Sequence, residues 1–360
     1  MLEIWRAGGS NTSATPEEAR IVEAQGWDGQ MFMCSQNLSA DPWVQMGVWA
    51  SATETLKLSP GVTNPFTRNL AVTAAAAATV QSVSNGRAVL GIGRGDSGLA
   101  YLGHAPVGTR NFERSLGFLQ RLLRGEEIAF EEFGPSGDAP PLAHLSLGDR
   151  PDGVRLRWLP EGLAKVPLDV AATGPKVIRM AARLAERVTF SVGAETERME
   201  WALATARAER QSHGLGDDGI SWGAQLVVCC HPDMDMAMET AMHMAPPLAR
   251  FQVIEGTQVG PGGDDEAARN FETIKAGYDM TKHGDVGTRE KIKGATLSPE
   301  FVKNFAIVGP PDRVTERLLG LKKLGLSRFV IVGPGFYAKE WGEARNLFHT
   351  EVIPALKAAG

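Results

Sequence analysis

Gly61-Val62-Thr63-Asn64-Pro65-Phe66-Thr67-Arg68-Asn69 runs into the alanine-rich tract Ala71 to Ala78, then Asn85-Gly86-Arg87, then Ala88-Val89-Leu90-Gly91-Ile92-Gly93-Arg94-Gly95-Asp96. In order, this reads as a strand end, a polar loop, a small-residue helix, a tight turn, a buried strand and an acid. Asn69 suits the N-cap of a helix starting at Leu70, alanine has the highest helix propensity, and Asn85-Gly86 supplies a left-handed stop. Ala88 to Ile92 is apolar on both faces, as a parallel strand covered on each side requires.

Outward from this unit the same alternation repeats. Short apolar runs occur at Leu2 to Trp5, Gly29 to Met33, Leu56 to Val62, Ala88 to Ile92, Leu168 to Ala172, Val188 to Val192, Gly223 to Cys230 and Arg328 to Val332. Most are separated by helical patterns, at Pro16 to Gln25, Leu70 to Val83, Phe112 to Leu123, Val177 to Glu186, Glu195 to Arg210, Asp312 to Leu324 and Lys339 to Leu356. Eight strand-helix units predict an α/β fold of the closed (β/α)8 TIM-barrel type rather than an open doubly wound sheet. Two stretches, about 125–166 and 251–305, break the alternation. They read as insertions in a single domain spanning 1–360, and both are expected to shape the pocket mouth at the C-terminal face of the strands, with a peripheral excursion as the alternative for either one.

A competing reading rests on Gly93-Arg94-Gly95-Asp96-Ser97-Gly98, which satisfies G-x-G-x-x-G, with Glu113 near the spacing of a ribose-binding acid. It is set aside on position. The pattern follows the fourth strand, Asp96 would crowd a pyrophosphate, and Glu113 falls inside a helical pattern.

Composition excludes several classes. With 360 residues, 43% hydrophobic and 22% charged, the chain buries a large core, so disorder is ruled out. A net charge of −5 with both signs interspersed gives no basic face for nucleic acid or anionic lipid. The cysteines Cys34, Cys229 and Cys230 form no disulfide framework, and Glu3 and Arg6 interrupt any signal-peptide run, so a cytoplasmic location is expected. The histidines show no metal-ligand spacing, and no metal is expected. His104, in the loop after Asp96, is a candidate substrate contact. So is Trp5 near a strand end, with core packing as the alternative for it.

Taken together, the Thr63-Asn64-Pro65-Phe66-Thr67-Arg68 loop, the alanine-rich helix, Asn85-Gly86-Arg87 and Gly91 to Asp96 resemble the luciferase-like superfamily. Within it they resemble the branch of coenzyme F420-dependent, methylenetetrahydromethanopterin reductase-like oxidoreductases. Glu23-Ala24-Gln25-Gly26-Trp27-Asp28, Val170 to Lys176 and Phe305 to Pro311 carry the resemblance along the chain.

The resemblance implies a flavin-type ring at the strand ends. The candidate coenzyme contacts are Cys34 and Ser35 after strand two, Gly61, Val62, Thr63 and Asn64 after strand three, and Arg94 and Gly95 after strand four. Ala172, Thr173, Gly174 and Lys176 follow strand five. A cis peptide is implied at Gly61-Val62. The helix opening at Pro175 offers backbone donors to a coenzyme phosphate, beside Lys176, although the same residues also make an ordinary capped helix. Asp96 matches an acid that manages a proton or stabilises charge in similar enzymes, with turn capping as the other reading. Two departures stand out: Cys34 where many deazaflavin relatives place an acid, and Asn69-Leu70 where histidine-proline is usual. The function implied is F420-dependent hydride transfer to or from a small organic substrate, with a homodimer as the assembly. The alternatives are an FMN-dependent two-component monooxygenase and a non-catalytic flavin- or metabolite-binding barrel.

Overall fold

Side chains alternate along β1 (Glu3–Gly8): Glu3, Trp5 and Ala7 face the barrel axis, while Ile4 joins the outer core beside Leu2. The same parity governs the other strands of this computed structural model, which describes residues 2–134, 139–255, 260–261, 265–285, 291–293, 295–333 and 341–360. The chain continues through α1 (Pro16–Ala24), β2 (Gly29–Phe32), α2 (Pro42–Ala52), β3 (Lys57–Pro60), α3 (Leu70–Val83), β4 (Leu90–Ile92), α4 (Ser97–Ala100) and α5 (Thr109–Leu123). After β5 (Ile128–Ala129), α6 (Phe130–Phe133) and β6 (Gly153–Val154) come β7 (Leu168–Ala172), α7 (Pro175–Leu184), β8 (Arg187–Phe190), α8 (Thr196–Ser212) and β9 (Ser221–Cys230). The last part is α9 (Met234–Ala249), α10 (Asp265–Gly277), α11 (Pro299–Phe305), β10 (Ile307–Gly309), α12 (Pro311–Lys323), β11 (Arg328–Val332) and α13 (Ile353–Ala358).

Eight parallel strands run in the order β3-β2-β1-β11-β9-β8-β7-β4. Bridges Leu58 to Ala88 and Thr63 to Ile92 bring β3 back to β4, so the sheet closes into the expected (β/α)8 barrel. Each of the eight sequence-predicted strands is present. A further short strand, β10, pairs with the end of β9 through Ile307 and Val228.

The opening stretch folds for the reasons its residues give. Asn69 caps α3 by accepting from Ala71 N at 2.8 Å. Asn85 and Gly86 both take positive φ, 53° and 91°, and end the helix. Arg87 then reaches under α2, donating from Nη1 to Leu56 O and from Nη2 to Ala50 O and Thr53 O, which satisfies carbonyls at that helix's end.

Trp5, Met31, Val89 and Val330 fill the barrel axis. Below them lies a polar plug. Arg328 and Asp169, both fully buried, pair at 2.7 Å, and Glu3 accepts from Arg187 Nη2 at 2.5 Å and Lys57 Nζ at 2.5 Å. Those two cations outweigh the effect of burial, which alone would raise the Glu3 carboxyl, and hold it at about 2.

Two expectations change. The pattern Lys339 to Leu356 is not one helix: Lys339 and Glu340 lie outside the described residues, and the rest forms a 3₁₀ turn at Gly342–Asn346, a π turn at Phe348–Val352 and then α13. Pro354 sits inside the first turn of α13, where its missing N–H is tolerated. The insertion at 125–166, of which Pro135, Ser136 and Gly137 lie outside the described residues, contains the antiparallel pair β5–β6 packed on α5 and α6. It joins a helix to the following strand, so it belongs to the face opposite the strand C-termini and does not shape the mouth. The insertion at 251–305 does reach the mouth; its Gly262, Gly263 and Asp264 lie outside the described residues. No described helix is long and apolar enough to cross a membrane.

Candidate active site

A cavity of about 610 Å3 opens at the C-terminal ends of the strands. Most of the residues singled out from the sequence meet there: Cys34 and Ser35 after β2, Gly61, Val62 and Asn64 after β3, Arg94, Gly95 and Asp96 after β4, and Thr173, Gly174 and Lys176 after β7. The Gly61-Val62 peptide is cis. A Cβ on Gly61 would come within 2.9 Å of Met31 Cβ, and one on Gly93 within 2.9 Å of Val62 Cγ2, so the wall here is built to glycine's dimensions.

Side-chain bonds lock these loops together. Asn64 Oδ1 accepts from Phe66 N at 3.0 Å and Thr67 N at 2.9 Å, shaping the loop after β3. Ser35 Oγ lies 2.6 Å from Ser97 Oγ, and Gln36 Nε2 donates to Gly98 O at 2.7 Å, tying the β2 and β4 ends. Gly95 has φ of 82°, and a Cβ there would meet Leu99 Cδ1 at 2.0 Å. Burial pushes the Cys34 thiol up, with Thr63 opposing, so it is a packed thiol rather than a thiolate nucleophile.

Four expected contacts stand apart from the cavity wall. Ala172 points outward into the helical layer, because parity gives the inward positions to its neighbours Ala171 and Thr173. Thr63 is fully buried behind Cys34. Trp5 is fully buried one step below the cavity, donating from Nε1 to Glu3 Oε2 at 2.8 Å under the Arg187 guanidinium, while Ala7, two residues on, reaches the wall. His104 is exposed and rests its ring on Phe66, 4.8 Å between centroids.

At the β7 end, α7 begins with Gly174 as N-cap and Pro175 in its first turn, and no side chain caps it. Thr173, Gly174, Pro175, Lys176 and Val177 all face the cavity, so this helix start presents backbone donors and a lysine to whatever anion lies there.

Across the mouth, Arg250 at the end of α9 grips Asp96 with both nitrogens: Nη1 donates to Oδ1 at 2.6 Å, and Nη2 donates to Oδ2. Burial alone would lower the Arg250 pKa, but the bonds and charge of Asp96 raise it. Arg94 pairs with Glu255 and donates from Nε to Val107 O at 2.6 Å. Next to Arg250, His283 Nε2 lies 3.4 Å from Nη2, so this nitrogen is the acceptor; Nδ1 then carries the hydrogen, 2.7 Å from Tyr278 Oη. Burial, reinforced by Arg250 and opposed by Asp96, holds the imidazole down at about 4. Burial pushes Tyr278 up to about 12, with Arg250 opposing.

Arg250, Tyr278, His283 and Lys291 were not singled out from the sequence. They belong to or adjoin an insertion without strand parity or helical repeat, and only the tertiary fold brings them to β4. A cavity of coenzyme size at the strand ends of a parallel eight-stranded barrel, floored by glycines and closed by a helix N-terminus, defines a TIM-barrel cofactor-binding protein. The chain belongs to the luciferase-like monooxygenase family, whose model matches residues 4–328.

Among its relatives, the 5,10-methylenetetrahydromethanopterin reductase of Archaeoglobus fulgidus is 26% identical over 347 residues, covering 94% of each chain. The same fold occurs in the coenzyme F420-dependent tetrahydromethanopterin reductase of Methanopyrus kandleri, with a TM-score of 0.71, 20% identity and 99% coverage of each chain. It also occurs in a type II Baeyer-Villiger monooxygenase of Pseudomonas putida in complex with FMN, with a TM-score of 0.63, 19% identity and 98% coverage of each chain.

Proposed function

We propose that the chain is an oxidoreductase dependent on coenzyme F420, acting on a small organic substrate. One observation carries this reading: the uncapped start of α7, with Thr173 and Lys176, opens into the same cavity as the glycine-built wall at Gly61, Val62 and Gly93. The first suits a phosphate and the second a flat ring. Relatives named as F420-dependent dehydrogenases, matching most of the chain, and the F420-dependent reductase of the same fold support F420 as the coenzyme. When bound, F420 supplies a hydride carrier at its C5.

The protein's share of the reaction is placement and proton management. Cys34, Ser35, Val62 and Asn64 would bound the ring, and Thr173, Gly174 and Lys176 the phosphate. Reduction of a C=O or C=N group needs a proton at the heteroatom, and Asp96 is the acid at the strand-four end that faces the cavity. Both of its oxygens accept from Arg250, so in this arrangement it acts through its charge, and proton transfer requires the pair to loosen.

An FMN-dependent monooxygenase is the second reading, favoured by Cys34 at the strand-two end and by the FMN-bound barrel of the same fold. Fluorescence titration of the purified protein with each coenzyme separates the two. Binding of F420 at least tenfold tighter than FMN is expected; the reverse order sinks the F420 assignment.

We read the chain as one barrel domain with two insertions, located in the cytoplasm and assembled as a homodimer. The dimer is supported by an apolar strip on neighbouring helices α2 and α3, where Val44, Val48 and Val72 are 71%, 36% and 52% exposed. Light scattering on the Val44→Glu, Val48→Glu variant is expected to give monomers. A wild-type chain that is already monomeric refutes the assembly.

A further inference from the structure

The cations that line the cavity are not equivalent. Arg250 spends both terminal nitrogens on Asp96, and Arg94 is committed to Glu255 and to Val107 O. Lys176 is exposed at the α7 end. Lys291 differs from all three: it lines the cavity, is only 8% exposed, and its ammonium makes no hydrogen bond or ion pair among the described residues. Its stem is packed while its nitrogen opens to the cavity, where the charge is available to an anion that enters.

Its backbone is held in place. Asp279 N donates to Lys291 O at 2.8 Å and Lys293 N to Gly277 O at 2.8 Å, clipping this segment onto the end of α10. The neighbouring Lys293 is the surface member, pairing with Asp279 at 3.5 Å. The groups around Lys291 are Asp285, His283 and Arg250, all of which line the cavity. Burial lowers the Lys291 pKa, Asp285 opposes this and Arg250 adds to it.

We propose that Lys291 forms a subsite, on the insertion side of the cavity, for a carboxylate carried by the substrate, so that the reducible compound is a small oxo acid. This rests on the F420 reading for the word reducible, but the subsite itself rests on Lys291. A monoanion fits better than a phosphate dianion. His283 already donates to Tyr278 and faces Arg250 with its acceptor nitrogen, which leaves Lys291 as the side-chain donor, and Asp285 beside it opposes a second negative charge.

Calorimetric titration of the whole protein tests the assignment with pyruvate, acetoacetate and levulinate, their methyl esters as neutral isosteres, and inorganic phosphate. At least one of the three acids is expected to bind wild type about tenfold or more better than its ester. Lys291→Met abolishes that preference, and Lys291→Arg keeps most of it. If none of the acids binds wild type better than its ester, or if Lys291→Met leaves the preference intact, the subsite is refuted. Phosphate binding that exceeds that of the acids and depends on Lys291 refutes the carboxylate.

F420 titration of the same variants separates the two readings. Lys291→Met is expected to keep wild-type coenzyme affinity. A loss of F420 binding in that variant assigns the lysine to the coenzyme and overturns the subsite. Lysine-dependent acid binding in a protein that does not bind F420 leaves the subsite standing and removes the F420 reading.

Discussion

The Asp96–Arg250 pair joins the barrel to the insertion, and its burial is unequal: the Arg250 side chain is 5% exposed and that of Asp96 22%. Removing either partner leaves the other charge behind, and the cost follows how well that survivor can be hydrated. Asp96→Asn strands a guanidinium that is almost wholly enclosed, between the rings of Phe251 and Tyr278. The expected loss is about 3–5 kcal/mol, the range for an orphaned buried charge. Arg250→Met strands a carboxylate that faces the cavity and can take up water, so about 1–3 kcal/mol is expected. For a chain of this size these correspond to melting-temperature drops of roughly 4–7 °C and 1–4 °C. The double variant Asp96→Asn, Arg250→Met has no stranded charge, and its loss should lie well below the sum of the singles. Urea midpoints and thermal melts at neutral pH measure all four proteins. An additive double would refute the idea that Asp96 and Arg250 act as one unit, and equal losses for the two singles would refute the link between cost and the survivor's burial.

Other expectations follow from single groups. Glu3 is held at about 2 against an ordinary value of 4.5, so its contribution to stability is complete above pH 4.5 and lost as pH falls towards 2. Glu3→Gln should therefore lower stability at pH 6 and flatten the acid limb of a urea-midpoint profile; an unchanged limb speaks against it. His283 is held at about 4 against 6.5, so the unfolded chain takes up its proton first and stability falls as pH drops from 6.5 to 4. His283→Gln should remove that slope, and a slope that persists points to another group. Gly95→Ala places a methyl at φ of 82°, with its Cβ 2.0 Å from Leu99 Cδ1. A destabilisation of about 2–3 kcal/mol is expected, and a melting temperature within 1 °C of wild type would show that the loop adapts freely.

The barrel was legible because each of its strands carries its own signal. Leu168 to Ala172 and Arg328 to Val332 are apolar runs of strand length between helical patterns, and both strands have the predicted bounds. The strand-end positions followed from the fold, which is why Cys34, Gly61, Asp96 and Thr173 converge on one cavity. What failed was finer than the element. Ala172 and Trp5 were placed by proximity to a strand end, whereas parity and depth decide which side chains reach the cavity. The insertion at 125–166 was expected at the mouth although it precedes a strand, a connection that belongs to the other face. Arg250, Tyr278, His283 and Lys291 left no local signature, since their roles depend on contacts across long sequence separations, such as the span of 154 residues between Arg250 and Asp96.

The distribution of charge around the cavity links the fold to the chemistry proposed for it. The β4 end brings Arg94 and Asp96, one of each sign, and each is matched by an opposite charge from the far side, Glu255 and Arg250. Each pair is neutral in itself, so the β4 side of the mouth is electrostatically quiet. Among the described residues the cations that remain are Lys176 beside the start of α7 and Lys291 on the insertion. A cavity whose middle is balanced and whose two sides each hold an uncommitted lysine is suited to two anionic groups carried by different molecules, with the uncharged reacting parts between them. Lys176 is set by the barrel, but Lys291 is set by the insertion. Changing the insertion while keeping the barrel should therefore alter which substrate is accepted and leave the coenzyme unchanged.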